Sequence, residues 1–175
     1  MSKAFTREND DAPEPGSVRR PPVQLPPGVR NHVTPDGLRR WKAQLEQLLD
    51  HERPPLADPA DTASRELLDR LDDRIARLQD CLRSAVSTPA PAIGETRVRF
   101  GAWVEVRDSA GETNRYRLVG VEEADPDQGL ISWLSPLAKA LLNRRPGDST
   151  RLRLPSGETT LTIQSVDYVR DQGLR

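Results

Sequence analysis

Two aspartates, Asp58 and Asp61, lie three residues apart between two stretches with a helical pattern of apolar residues. Asp58 precedes Pro59, and an aspartate followed by proline is a common helix start, with the acid as N-cap and the proline at the first helical position. Asp61 then falls at the third position, where a carboxylate interacts favourably with the helix dipole and can return a capping bond. The simplest chemistry for both acids is therefore helix capping.

Other residue types that often do chemistry are few in this chain. Neither of its two histidines, His32 and His51, belongs to a recognisable arrangement of serine, cysteine or acidic partners, so neither is expected to be catalytic or a metal ligand. The single cysteine, Cys81, excludes an internal disulfide and a cysteine-based zinc site. The chain also lacks a glycine-rich phosphate loop and a Gly-x-Ser-x-Gly motif. We therefore expect no independent enzyme, no metal site and no cofactor.

The composition narrows the class of protein further. Of the 175 residues, 35% are hydrophobic and 30% are charged, so part of the chain is expected to lie outside a packed core. The 26 basic and 27 acidic residues nearly cancel, which argues against a protein that coats DNA. The sequence has no apolar run long enough to cross a membrane and no apolar secretory signal in its first ten residues. These features predict a cytoplasmic protein without a membrane partner.

Two segments with different patterns make up the first half. Residues 1–33 hold six of the sixteen prolines and have no helical or strand period, which predicts a disordered, proline-rich tail. Residues 34–86 predict two helices, the first capped by Thr34 with Pro35 at its first position, and the prolines at 54 and 55 end it. Both helices carry apolar residues at alternating spacings of three and four: Leu38, Trp41, Leu45 and Leu48 in the first, and Leu68, Leu71, Ile75, Leu78 and Leu82 in the second. This pattern predicts a short antiparallel coiled-coil hairpin.

After a linker at residues 87–96, apolar residues recur at every second position, which is the pattern of β-strands. Residues 97–170 predict a compact α+β domain of mostly antiparallel strands with one short helix, followed by a tail at residues 171–175. The first strand is expected over residues 98–106 with a bend at Gly101, and the helix over residues 137–143 with Ser135 as its N-cap and Pro136 at its first position. The acidic loop at residues 122–127 is expected to be an exposed turn.

Several separate motifs of this domain follow one another in a recognisable order. They are Val98–Val106, Tyr116–Gly120, Glu122–Asp125, Gly129–Ser132, Ser135–Leu142 and Pro146–Asp148, preceded by Thr34–Leu38 and Glu52–Pro54 in the helical part. Taken together, over about residues 33–169, they resemble the bacterial Gre transcript-cleavage factors. The resemblance implies a C-terminal domain with the FK506-binding-protein-like fold.

The same resemblance implies a partner and a contact surface. In that family the helical hairpin enters the secondary channel of RNA polymerase, and the C-terminal domain docks on the channel rim. It implies polymerase contacts by five residues of this chain: Asp125, Ser135, Pro136, Leu137 and Lys139. Contact with nucleic acid is then only indirect, through the elongation complex, and we expect the chain to be a monomer.

The predicted tip departs from the family pattern. Cleaving members have a longer hairpin with a Gly-Asp-x-x-Glu-Asn-Ala-type loop, whose acids help to hold a magnesium ion and a water in the polymerase active centre, a role that suits carboxylates. Asp58 and Asp61 keep the spacing of the acidic pair, but the leading glycine and the asparagine are missing. The hairpin is also shorter, by roughly two heptads in total, or on the order of 10 Å of reach per arm. The resemblance therefore leaves three roles for the acids: capping, which we favour, assistance to the polymerase magnesium, and a non-catalytic contact inside the channel.

Three functional hypotheses follow. The favoured one is an elongation regulator that binds polymerase at the secondary channel and modulates elongation or polymerase-catalysed cleavage. A variant of it is a non-cleaving competitor for the channel, as in the short-hairpin cousin, the regulator of nucleoside diphosphate kinase. The others are a general protein-binding adaptor and, by analogy of fold alone, a peptidyl-prolyl isomerase. An isomerase needs the aromatic residues of the second domain to converge on one pocket: Phe100, Trp103, Tyr116, Trp133 and Tyr168.

Overall fold

The computed structural model describes residues 25–56, 61–92, 94–154 and 157–168. Most of the predicted N-terminal tail, Asp58 and the predicted tail at residues 171–175 lie outside the described residues. None of the helices in the described part combines the length and the apolar character that a membrane span requires.

The first helix, α1, spans Pro35–Gln47 and begins as predicted. Thr34 is its N-cap, and the Thr34 hydroxyl accepts a hydrogen bond from the Gly37 N–H at 3.0 Å. The helix continues into a π-helical turn at Leu48–Glu52 and then a 3-10 turn at Pro54–Leu56. Two consecutive prolines remove the N–H donors that a further α-helical turn would need, so the helix ends here.

The second helix, α2, spans Thr62–Ser84, and it begins later than predicted. Asp61 is its N-cap, with extended backbone angles, and its carboxylate accepts a hydrogen bond from the Ser64 N–H at 2.7 Å. The prediction that Asp61 occupies the third helical position is therefore wrong, although its capping role is confirmed. The sequence offers two aspartates as caps three residues apart, and the backbone bends at the second one.

A cluster of buried apolar residues joins the two helices. This helical cluster consists of Val33, Trp41, Leu48, Leu71, Ile75 and Leu78. The predicted seam residues Leu38, Leu45 and Leu82 are half-buried at its margin. Near the far end of the pair, Arg53 binds Asp72 with Nε 2.7 Å from Oδ1.

The predicted tail is wrong in its last three residues. Strand β1 (Asn31–Val33) pairs in parallel with β2 (Ala85–Ser87), and Val33 is completely buried in the helical cluster. β2 also takes in Ser87, the first residue of the predicted linker. The partner of β1 lies more than fifty residues away, so no local pattern in a proline-rich stretch could reveal the pairing.

The second half forms a five-stranded sheet covered by a short helix. Its strands are β3 (Ala102–Asp108), β4 (Thr113–Val119), β5 (Leu130–Ser132), β6 (Ser149–Leu154) and β7 (Gly157–Tyr168), and their order is β5-β4-β3-β7-β6. Neighbouring strands are antiparallel except β4 and β5. Helix α3 (Pro136–Leu141) buries Ala138 and Leu141 against the inner face of the sheet, next to Val104, Leu118 and Ile163. The mixed helix-and-sheet class is therefore as predicted.

Two boundaries of this domain differ from the prediction. The first strand begins only after Gly101, because Gly101 has a φ of 84° and its N–H bonds across to the Leu118 carbonyl at 2.7 Å. Helix α3 ends at Leu141 rather than at Asn143, since Asn143 adopts a left-handed φ of 68°. Asparagine is one of the few residues besides glycine that tolerates this conformation.

Candidate functional site

Asp61 presents an ionised carboxylate at the N-terminal end of α2. The residue is exposed, and hydrogen bonds from the Ser64 backbone and side chain hold the pKa of its carboxyl below the usual range. The negative charge also interacts favourably with the free N–H groups of the first helical turn. Within the described ranges no group of three or more histidines, cysteines and acids is arranged to hold a metal ion. The Asp61 carboxylate is therefore accessible to a partner, but the helix already uses it as a cap.

Asp125 organises the loop before β5. Its carboxylate accepts hydrogen bonds from the Asp127 N–H at 3.2 Å and from the Gln128 side-chain amide at 2.9 Å, which caps the 3-10 turn Pro126–Gln128. Its backbone exchanges two hydrogen bonds with Leu130, of 2.8 and 2.9 Å. Gly129 closes the turn with a φ of 70°, and a Cβ there would lie 2.6 Å from the Arg115 carbonyl oxygen. The predicted contact residue Asp125 is thus held rigidly at the start of β5.

The start of α3 lies at the other end of β5. Ser135 is the N-cap as predicted, and its hydroxyl accepts a hydrogen bond from the Ala138 N–H at 3.1 Å, while its own N–H bonds to the Ser132 carbonyl at 2.9 Å. Pro136 and Lys139 are exposed, whereas Leu137 is half-buried against the sheet core. Because β5 has only three residues, the structure brings the Asp125 loop and the α3 start to the same edge of the sheet. We call these five predicted residues the β5-edge surface: Asp125, Ser135, Pro136, Leu137 and Lys139.

Glu123 lies between the helical part and the sheet, and the expectation of an exposed acidic loop is wrong at this residue. Its side chain is completely buried. The carboxylate accepts hydrogen bonds from the Thr34 N–H at 2.8 Å, from the Thr34 hydroxyl at 2.5 Å and from the Gly120 N–H at 2.9 Å. The Arg40 guanidinium lies 3.8 Å from Oε1. These donors offset the cost of taking the charge out of water.

A second polar contact crosses the same boundary. Arg117 on β4 binds Asp36 in the first turn of α1, with Nη2 2.8 Å from Oδ2, and its side chain is only 11% exposed. We call the four residues Thr34, Asp36, Arg117 and Glu123 the interdomain joint. The sequence offers one signal for it, which is a glycine at position 37 inside the first turn of a helix. Glycine is unfavourable there by about 1 kcal/mol relative to alanine, so its presence indicates a close approach by another group.

The aromatic residues of the second domain do not converge on one pocket. Trp103 lies on the outer face of the sheet, with the guanidinium of Arg115 4.8 Å from its ring centre. Phe100 and Trp133 both contact the ring of His32, with centroids 6.0 and 5.6 Å away. Tyr116 and Tyr168 pack against the inner core of the sheet. The apolar site that an isomerase would need is thus not formed by these residues.

Known proteins resemble the chain across both of its parts. Residues 93–168 match the family model described as transcription elongation factor, GreA/GreB, C-terminal. Transcription elongation factor GreA of Nautilia profundicola is 34% identical over 151 residues, which cover 78% of this chain and 93% of that protein. Transcription elongation factor GreB of Xanthomonas axonopodis pv. citri is 35% identical over 167 residues, which cover 85% of this chain and 96% of that protein.

Among solved structures, GreA factor homolog 1 of Thermus thermophilus is 27% identical, with 79% of this chain and 99% of that chain covered and a TM-score of 0.39. The two sequence relatives extend the match from the sheet domain into the helices and over nearly their whole length. On that ground, the chain belongs to the GreA/GreB family of transcription elongation factors.

Proposed function

We propose that this chain binds bacterial RNA polymerase at the secondary channel and there modulates elongation or polymerase-catalysed transcript cleavage. The observation that carries the proposal is the match to GreA and GreB over 93% and 96% of their lengths, which includes the helical part as well as the sheet domain. A role on polymerase would be performed in the bacterial cytoplasm.

The geometry of the helices supports a hairpin that could enter a channel. Trp41, in the middle of α1, lines the same cleft as Leu78, late in α2, whereas Arg53, after α1, binds Asp72, nearer the start of α2. The two helices therefore advance in opposite directions. With 13 and 23 residues, they are about 20 and 35 Å long at the usual helical rise. The tip between them carries Asp61.

The β5-edge surface is our candidate for the contact with the polymerase rim. Supporting features are the exposed side chains of Pro136 and Lys139 and the rigid support that the Asp125 and Ser135 caps provide. A preorganised surface loses little conformational entropy when it binds. The sheet with one helix on its inner face is consistent with an FK506-binding-protein-like domain in this docking role.

The chain itself needs no catalytic apparatus in this proposal. If cleavage is stimulated, polymerase performs the reaction, and the tip acids, Asp58 and Asp61, assist its magnesium ion, which binds one or two protein carboxylates and several waters. The capping bond to Ser64 favours a second candidate, in which the hairpin only occupies the channel and excludes other factors. In that case the main role of Asp61 is to begin α2.

A transcript-cleavage assay on a stalled, backtracked elongation complex tests both candidates. The protein is added alone, and then together with a cleavage-competent Gre factor. If this protein does not stimulate cleavage itself, it should suppress the competitor's activity, because the two proteins share one route. Shortened RNA with this protein alone supports assistance by the tip, whereas no shortening supports exclusion. Undiminished competitor activity at saturating concentrations of this protein contradicts the proposed binding site.

A further inference from the structure

Among the described residues, no buried apolar cluster is shared across the boundary between the helical part and the sheet; it is held by polar contacts, together with the ring contacts of His32 with Phe100 and Trp133. The helical cluster and the buried residues of the sheet form two separate sets. Between them, the Glu123 carboxylate binds Thr34, and Arg117 binds Asp36. Apolar packing has little directional preference, whereas hydrogen bonds require defined angles and distances. The contacts at this boundary are therefore of the kind that fixes an orientation.

The Glu123 carboxylate is aimed at the beginning of α1. Its two bonds from Thr34 involve the N-cap residue itself, and the Thr34 hydroxyl also accepts the bond from the Gly37 N–H that caps the helix. A negative charge at a helix N-terminus is favoured by the free N–H groups and by the helix dipole. Glu123 thus completes the cap of α1 from a residue 89 positions away in sequence.

Two glycines show how closely the parts approach each other. A Cβ at Gly37 would lie 1.8 Å from Oε1 of Glu123, and a Cβ at Gly120 would lie 2.3 Å from the carbonyl oxygen of His32. A side chain at position 120 would collide with backbone and would force the two parts to move, whereas one at position 37 would force either the Glu123 side chain or the arm to move. The joint therefore combines directional bonds with steric contact on both sides of the carboxylate.

We propose that Glu123 is a positioning residue that sets the direction of the α1–α2 arm relative to the sheet, with Arg117 and Asp36 as a second point of attachment. Two separate points of attachment restrict rotation of the arm more than a single one does, and the ring contacts of His32 with Phe100 and Trp133 restrict it further. Because α2 is about 35 Å long, a change of 10° at the joint would displace the tip by about 6 Å. That displacement is as large as a whole side chain. A partner that binds the tip and the sheet at the same time would therefore bind the displaced form less well.

The test measures the direction of the arm without polymerase, so it is independent of the proposed function. Replacement of Cys81, the single cysteine, by serine allows two spin labels to be attached at new cysteines. Glu66 on α2, with 63% of its side chain exposed, and Ser109 in the β3–β4 turn are suitable sites. A second pair at Ser109 and Arg151 reports distances within the sheet alone. Pulsed electron paramagnetic resonance then gives the distance distribution of each pair in the full chain.

The variant Glu123→Gln keeps the size of the side chain but removes its charge and replaces one acceptor oxygen with an NH2 group, so at least one of the bonds from Thr34 or Gly120 is lost or reversed. We expect it to shift or broaden the distribution between α2 and the turn by about 5 Å or more and to leave the pair within the sheet unchanged. Glu46→Gln, the same change at an exposed position on α1, is the control and should match the parent. A distribution identical to the parent in folded Glu123→Gln would overturn the proposal.

Gly37→Ala is the second variant, and it keeps the proposal testable if Glu123→Gln does not fold. The added methyl group must displace Glu123 or the arm, so the distance between α2 and the turn should again change while the distance within the sheet does not. An unchanged arm distance in a folded Gly37→Ala protein would mean that Glu123 yields without moving the arm, which contradicts a positioning role.

Discussion

The carboxylates of Glu123 and Asp61 lie in contrasting environments, one buried and one exposed. Glu123 is completely buried and accepts three hydrogen bonds, whereas Asp61 is exposed and binds Ser64. A buried charge without partners would be strongly destabilising, so the donors around Glu123 are a condition of the fold. Asp61 is free of that constraint, and its charge remains available at the surface. The same functional group thus serves to connect the parts in one place and to begin a helix in the other.

Substitutions of Asp61 separate its capping role from its charge. Asparagine is nearly as good an N-cap as aspartate, whereas alanine is a poor one, so Asp61→Asn should melt only slightly below the parent, through loss of the charge, and Asp61→Ala at a clearly lower temperature. The hydrogen bonds lower the pKa of Asp61 in the folded protein. Its ionised form therefore stabilises the fold at neutral pH, and that contribution is lost as the pH falls through the lowered pKa. Thermal melting followed by circular dichroism at neutral and at acid pH measures both effects.

An equal loss of stability in both variants at neutral pH would contradict a role in capping and indicate that the charge itself is required. In the cleavage assay, the pair of variants answers a different question. If Asp61 assists the polymerase magnesium, both variants lose activity, because an amide is a much weaker magnesium ligand than a carboxylate.

Caps were the part of the candidate site that the sequence predicted best. Thr34 and Ser135 each bind an N–H group three residues ahead, so the whole interaction lies within one short stretch of sequence. The sequence favoured Asp58 as the cap because Pro59 follows it, whereas Asp61 caps α2 without a following proline. Glu123 was missed for another reason: its partner Thr34 is 89 residues away, and the acids next to it in sequence indicate a solvated loop.

The contribution of helix α2 to the stability of the protein comes mainly from its buried apolar face. Leu71 is 7% exposed and belongs to the helical cluster, whereas Leu67, one turn earlier, is 51% exposed. Leu71→Ala should lower the free energy of unfolding by about 2–5 kcal/mol, since it removes buried apolar contacts and leaves a cavity. Leu67→Ala is the matched control and should stay within about 0.5 kcal/mol of the parent, because leucine and alanine are both good helix formers.

Urea unfolding of the two variants provides the comparison. Similar losses in both would mean that Leu67 is also packed in solution, and the assignment of the buried face would have to change. The spacing of apolar residues predicted this face correctly at Leu71, Ile75 and Leu78. The spacing also predicted that Leu68 packs in the seam, but Leu68 is not a member of the cluster. The π-helical turn and the prolines after α1 end the first helix before it could lie opposite Leu68.

Helix α3 carries the exposed cation of the β5-edge surface. Lys139→Glu should weaken binding to RNA polymerase at least tenfold if this surface docks on the rim, since a reversed charge at an interface introduces repulsion. Arg151→Glu is the control for the same change in charge. Arg151 is 81% exposed on β6 and points away from the core, into which its neighbour Leu152 is packed. Competition binding with a labelled Gre factor measures both, and equal weakening by the two changes would contradict a local contact.

The two parts of the molecule should differ in their ability to fold alone. The sheet has a buried core of its own, which includes Val98, Val104, Leu118 and Ile163. The helical part shares only a small cluster, and its first helix depends on Glu123 for part of its cap. Two helices of this length are marginal in isolation. We therefore expect a fragment of residues 94–168 to melt cooperatively.

A fragment of residues 25–92 is expected to lose most of its helical signal and to show no cooperative transition. Far-ultraviolet circular dichroism measures the helical signal and the thermal transition of each fragment, and the full chain is the reference. A cooperative transition in the helical fragment would mean that the cluster around Trp41 and Ile75 is sufficient without the joint. The sequence could predict that two parts exist, from the change of period near residue 97, but not the polar contacts that connect them.

The order of strands in the sheet leaves β5 and β6 at its two edges. An edge strand exposes unpaired backbone groups that can recruit a strand from another copy of the protein, which begins aggregation. Here one edge is only three residues long, and the other alternates arginine with leucine at Arg151-Leu152-Arg153-Leu154. Short length and positive charge both discourage such pairing. Copies of the protein are therefore disfavoured from joining edge to edge, even at high concentration.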